Sequence, residues 1–150
     1  MTHVRDGDTV KEFRAVCPVS KFMVTRVCTR ATANHAQRFL RELLDALPFP
    51  LVSIQVDGGS EFMAGFEQAC QALDLPLYVL PPKCPQYNGC VERANRSARI
   101  EFWNRYDGPL DVGPVQAALA DYAFFYNYER PHAALDYRTP NEYLVTLEAA

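Results

Sequence analysis

The chain has 150 residues, 49% apolar and 22% charged, with a formal charge of −3, which fits one globular domain and excludes bulk disorder. It holds no run of about 18 apolar residues, and its start, Met-Thr-His-Val-Arg-Asp, lacks a charged-then-apolar leader, so neither a membrane span nor a secretion signal is expected and the protein should stay in the cytosol. Five cysteines, Cys17, Cys28, Cys70, Cys84 and Cys90, are odd in number and form no Cys-x-x-Cys pair; buried free thiols are expected rather than zinc ligands or a disulfide frame.

The first segments read as strands. Thr2 to Arg5 is followed by a turn at Asp6-Gly7-Asp8. Val10 to Cys17 and Phe22 to Thr29 are rich in β-branched and aromatic residues, with Pro18 to Lys21 turning between them, which predicts a three-stranded antiparallel meander. From Thr32 the period changes: Phe39, Leu40, Leu43, Leu44 and Leu47 recur at helical spacing, so a helix is predicted over Ala33 to Leu47, before Pro48. Leu51 to Val56 is a strand running into Asp57-Gly58-Gly59, and Met63, Phe66, Cys70 and Leu73 mark a second helix. Leu77 to Leu80 is predicted as a short buried strand closed by Pro81-Pro82. Helices follow over about Gly89 to Arg105 and Val112 to Tyr128, the latter capped by Asp111, with a short helix after Pro140. This order predicts one α/β domain over 1–150: a mixed sheet of three antiparallel strands plus two further strands, flanked by helices.

Asp57 stands at the carboxyl end of a predicted strand, where open α/β sheets leave their ligand crevice, although Asp-Gly is also a common turn pair. Glu92 lies 35 positions later in the first turn of a helix, a usual place for an acid complementing the helix dipole. At about 100° per residue, Glu92, Arg96 and Arg99 fall within roughly 60° of one another, beside a stripe of Val91, Ala98 and Phe102. A metal-binding carboxylate among DNA-binding arginines and a surface salt-bridge ladder both fit that face. Between Lys83 and Arg105 five basic residues stand against two acidic ones, leaving a local basic excess in an acidic chain. The loop Pro81 to Gly89 carries Lys83, Gln86, Tyr87 and Asn88, groups suited to stacking on a base and binding phosphate or sugar, and equally suited to a plain loop.

Taken in order, Val56-Asp57-Gly58-Gly59-Ser60-Glu61-Phe62, the segment Leu80 to Arg93, Phe125-Tyr126-Asn127-Tyr128-Glu129-Arg130-Pro131-His132 and Arg138-Thr139-Pro140 resemble the integrase core shared by retroviral integrases and insertion-sequence transposases, over about Phe13 to Leu144. The resemblance implies a ribonuclease H-like fold of the DDE superfamily, in which two Asp and one Glu hold a pair of Mg²⁺ (or Mn²⁺) ions. Asp57 would match the second aspartate and Glu92 the glutamate, as catalytic and metal-binding residues. Hard carboxylate oxygens suit these ions, and two ions about 3.5 to 4 Å apart assist an in-line phosphoryl transfer. The implied activity is a polynucleotidyl transferase that nicks element ends and joins them to target DNA, with DNA and further copies of itself as partners. Lys83, Tyr87, Asn88, Arg96 and Arg99 would contact DNA by the same resemblance.

The family's first aspartate belongs to the first strand, and Thr2 to Arg5 has none; Asp6 and Asp8 fall in the predicted turn. The expectation is that this aspartate lies upstream of Met1, that the chain is a core truncated at its N-terminus, and that it is inactive. Two alternatives are a ribonuclease H-type nuclease and a noncatalytic transposase fragment that binds DNA or oligomerises through the aromatic-rich helix Val112 to Tyr128.

Overall fold

The computed structural model describes residues 1–81 and 88–149. Strands β1 (Thr2–Arg5), β2 (Asp8–Val16) and β3 (Met23–Cys28) form the predicted antiparallel meander. Its first turn is tight, pairing Arg5 with Asp8 across Asp6 and Gly7, whose φ values of 51° and 89° are the positive pair that a twisted two-residue hairpin requires. Helix α1 (Ala33–Ala46) begins at Thr32, whose side chain accepts from the His35 N–H.

Strands β4 (Ile54–Val56) and β5 (Leu77–Val79) pair in parallel, Ile54 beside Leu77 and Val56 beside Val79. Hydrogen bonds therefore group the described strands into a three-stranded and a two-stranded ladder. Two expectations change here. The strand predicted from Leu51 starts at Ile54, because β5 offers partners for three residues alone. The strand predicted as buried exposes Tyr78 and Val79, at 60% and 46% of their surface. The helix predicted around Met63 to Leu73 is α2 (Gly65–Ala72), which starts after Ala64, where φ is 47°, and follows a 3₁₀ turn at Ser60–Phe62.

Helix α3 (Gly89–Ala98) continues into a π-helical turn at Arg99–Trp103, and α4 (Val112–Phe124) into another at Phe125–Glu129. Asp111 caps α4 through a bond from the Val112 N–H, as its sequence position predicts. Helix α5 (Pro140–Glu148) opens with a reciprocal cap between Thr139 and Glu142. No helix of the described residues is long and apolar enough to cross a membrane. Cys28 and Cys70 are buried free thiols, as expected, whereas Cys17 and Cys90 are free and half-buried; Cys84 lies outside the described residues.

The two-residue period of the strands sorts their side chains onto two cores. Phe13 and Cys28 join α1, α2 and β4 through Phe39, Leu40, Leu43, Phe66, Cys70 and Val56. Val10, Met23 and Val27 face the other way, onto Ala98, Phe102, Val115, Leu119, Tyr122 and Tyr126. Helix α4 also closes the outer edge of β3. Asn127 accepts from the Met23 N–H and donates to the Met23 carbonyl, both at 2.8 Å, and Gln116 accepts from the Val27 N–H at 2.8 Å. The Asn-x-x-Arg-Pro-His segment is thus a tertiary anchor: Arg130 brackets Glu101 with Nε and Nη2, and the buried His132 meets the Tyr126 carbonyl through Nε2 at 3.0 Å.

Burial holds the His132 imidazole below its ordinary titration range; the Tyr126 carbonyl opposes this and the Arg130 charge reinforces it. A histidine kept neutral in the fold resists the proton that an unfolded one takes up near pH 6.5. Its contribution to stability is present above that pH and is lost as pH falls through the lowered value. Thermal unfolding of the native chain between pH 7.5 and 5 is expected to show this decline, and His132→Gln to flatten it.

Candidate functional site

Asp57 directly follows β4 and is exposed, with its Oδ1 accepting from the Gly59 N–H at 3.2 Å. The turn role foreseen for an Asp-Gly pair is therefore present, and it orients the carboxylate without burying it. A second carboxylate joins it. A β-carbon placed on Gly59 would lie 2.8 Å from Glu61 Oε2 and 3.1 Å from Asp57 Oδ1, so the two oxygens are no farther apart than the sum of those distances. A side chain at position 59 would push the flexible Glu61 carboxylate aside, so the bare glycine leaves room for both acids. Glu61 also lines a cleft with Lys11, Arg30, Thr2 and Thr32. Sequence reasoning missed Glu61; its signal was a second acid four residues after Asp57, flanking the same glycines.

Glu92 is exposed in the first turn of α3, its N–H bonded to the Asn88 carbonyl at 3.0 Å. The buried stripe beside it is Ala94, Ala98 and Phe102, with Val91 half-buried, so the predicted division into a packed and an open face holds. Arg96 and Arg99 are exposed, and among the described residues neither makes an ion pair with Glu92 or any other acid. The salt-bridge ladder is not formed, which leaves a carboxylate and two guanidiniums open to other partners. Asn88 is half-buried at the start of α3, with no side-chain capping bond; Lys83 and Tyr87 lie outside the described residues.

Asp6 and Asp8 are exposed at the tip of the β1–β2 hairpin, and among the described residues no three His, Cys, Asp or Glu side chains are grouped to hold a metal ion. The donors of a type that suits a hard divalent cation are the carboxylates of Asp57 and Glu92, both exposed, and of the half-buried Glu61.

Residues 76–140 match the model of the family described as integrase core domain. Over that segment the chain is similar to integrase cores. A similar sequence is the ORF3 protein of Spiroplasma virus SpV1-C74, named as an integrase, 29% identical over 139 residues covering 84% of this chain and 38% of that one; the chain thus spans well under half the length of this curated relative. The fold matches the catalytic core domain of BIV integrase with a TM-score of 0.73 at 22% identity, over 99% of this chain and 93% of that one. It also matches a chain of the simian T-cell lymphotropic virus intasome, with a TM-score of 0.80 at 20% identity, over 95% of this chain and 50% of that one. The chain thus has the mixed α/β architecture that the strand and helix order predicted, in the ribonuclease H-like arrangement that the resemblance implied.

Proposed function

We propose that this chain is the integrase core of a DNA transposase or integrase that performs phosphoryl transfer on DNA, with Asp57 and Glu92 as metal ligands. The observation that supports it most directly is the free face of α3 and its π turn, where Glu92 stands beside Arg96 and Arg99 in a fold like that of integrase cores, with Asp57 directly after β4. A bound Mg²⁺ or Mn²⁺ would supply Lewis-acid activation of the attacking oxygen and neutralise the leaving one. Asp57, kept in place by the Gly59 N–H, and Glu92, carried on a packed helix, would hold that ion; Arg96 and Arg99 would bind DNA phosphates on the neighbouring helix turns. Asn88, and Lys83 and Tyr87 by resemblance, would add DNA contacts ahead of the helix.

The test is ion-dependent stability together with DNA binding. With Mn²⁺ at about 100 times its dissociation constant the native chain is expected to gain ~2.7 kcal/mol, a rise in melting temperature of roughly 5–10 °C, and Asp57→Asn or Glu92→Gln to lose it. Replacing Arg96 and Arg99 with Ala should make the salt dependence of duplex binding shallower, by about 0.9 for each phosphate that is no longer neutralised. Unchanged stability with Mn²⁺ would count against the metal site.

Two observations favour a second reading. Strand β1 contains no aspartate, and Phe124, Phe125 and Tyr128 are exposed at the end of α4. A noncatalytic module that binds DNA or a further copy of the chain accounts for both. Metal-independent DNA binding, with self-association in sedimentation that Phe124→Ser weakens, would favour it.

A further inference from the structure

Strand β2 reads Asp-Thr-Val-Lys-Glu-Phe-Arg-Ala-Val, and its period places Val10, Glu12, Arg14 and Val16 on one face. That face is covered by α3 and α4, yet two of its four residues are charged, and their side chains are 0% and 2% exposed for Glu12 and Arg14. The two are bonded to each other. Glu12 also accepts from the Thr25 hydroxyl at 2.7 Å and from Trp103 Nε1 at 3.0 Å, and meets His3 Nε2 at 2.9 Å. Arg14 Nη1 donates to the Ala94 carbonyl at 3.1 Å and to Asn95 Oδ1 at 3.0 Å.

These bonds reach the Glu92-bearing helix at two separate points. Ala94 and Asn95 lie two and three residues after Glu92, and Trp103 lies eight residues beyond Asn95. The wide turn, with the Asn104 N–H bonded to the Arg99 carbonyl at 2.9 Å, slows the helix's rotation and brings Trp103 to the sheet side. There the Trp103 ring stacks on His3 with centroids 3.5 Å apart. A helix fixed at one point can still rotate and slide; one fixed at two points along its axis cannot.

Stability alone does not account for the pair. Well-packed apolar residues in place of a buried ion pair are often as stable or more so, and the surrounding face, with Val10, Val16, Met23 and Val27, would accept them. What apolar side chains lack is direction.

We propose, taking Glu92 as a metal ligand as above, that Glu12 and Arg14 are positioning residues which set the rotation and rise of α3 and thereby place the Glu92 carboxylate at the metal site.

The full chain is compared as native, Glu12→Met/Arg14→Met, Asn95→Ala and Glu92→Gln. Trp103, the sole tryptophan, reports the far contact through its fluorescence, amide exchange over 90–98 reports the near one, and Mn²⁺ titration reports the site. The double variant and Asn95→Ala are expected to fold, to exchange faster along α3 and to bind Mn²⁺ at least about tenfold more weakly, as loss of partners behind a ligand does elsewhere. Native-like Mn²⁺ affinity in both, with Glu92→Gln losing the ion, overturns the positioning role and leaves the metal reading intact. Native-like affinity in Glu92→Gln overturns the metal reading itself and the role with it. If the double variant does not fold, Asn95→Ala, at a half-buried surface of the helix, decides by the same comparison.

Discussion

Glu12→Ala is expected to lower the free energy of unfolding by about 3–5 kcal/mol, the cost of leaving a buried charge without its partner. Arg14 would keep its bonds to Ala94 and Asn95 but lose its counter-charge, and the Trp103 N–H and Thr25 hydroxyl would each lose an acceptor. For a domain whose whole stability is of order 5–15 kcal/mol this is a large fraction. The effect depends on pH with a definite sign. Burial pushes the Glu12 carboxyl up, but the His3 bond, the Arg14 charge and the Thr25 hydroxyl outweigh it and hold the group below the ordinary carboxylate value. Its contribution is therefore fully present above the unfolded value of about 4.3 and disappears as pH falls through the lowered one. Urea unfolding of native and variant chains should differ most at pH 7, with the difference narrowing as pH falls below about 4.3.

Phe66→Ala is expected to cost about 3–5 kcal/mol, lowering the melting temperature by roughly 10 °C. Phe66 is 1% exposed, packs edge-on to Phe62 with centroids 5.2 Å apart and shares its core with Val56 and Leu43. The segment carrying Asp57 and Glu61 is pinned at its two ends by Val56 and Phe62. A cavity beneath Phe62 frees one of those ends, so Mn²⁺ affinity measured on the folded variant should fall as well. Unaltered affinity would mean that the turn at Gly59 holds Asp57 unaided.

Local signals carried much of the fold into the sequence. Asp111 before Val112 and Thr139-Pro140 with Glu142 three residues on are start signals whose bonds form within four residues, so they were legible without tertiary knowledge. The same is true of Asp57 at a strand end and of the open face bearing Glu92, Arg96 and Arg99. Glu12 and Arg14 were not legible because their partners are remote: Arg14 reaches Ala94 across 80 positions and Glu12 reaches Trp103 across 91. A strand written with alternating charges looks half-solvated until the covering helices are known. Glu61 escaped notice because both its carboxylate and that of Asp57 lie over Gly59, a spatial fact. The spread of aromatic residues over Tyr122 to Tyr128 mixes two geometries: the α-helix ends at Phe124, and the π turn buries Tyr126 and Asn127 together.

That burial of Asn127 matters beyond the anchoring of a loop. A sheet margin with unoccupied amide and carbonyl groups invites the strand of a neighbouring molecule, the route by which sheets grow into fibres. At Met23 the carboxamide of Asn127 supplies both bonds that such a strand would offer, and Gln116 supplies the one at Val27. Two side chains thus impersonate the next strand and end the sheet there. Copies of the chain crowded together would find no template at that margin for stacking sheet upon sheet, so close association is left to surfaces other than this edge of the sheet.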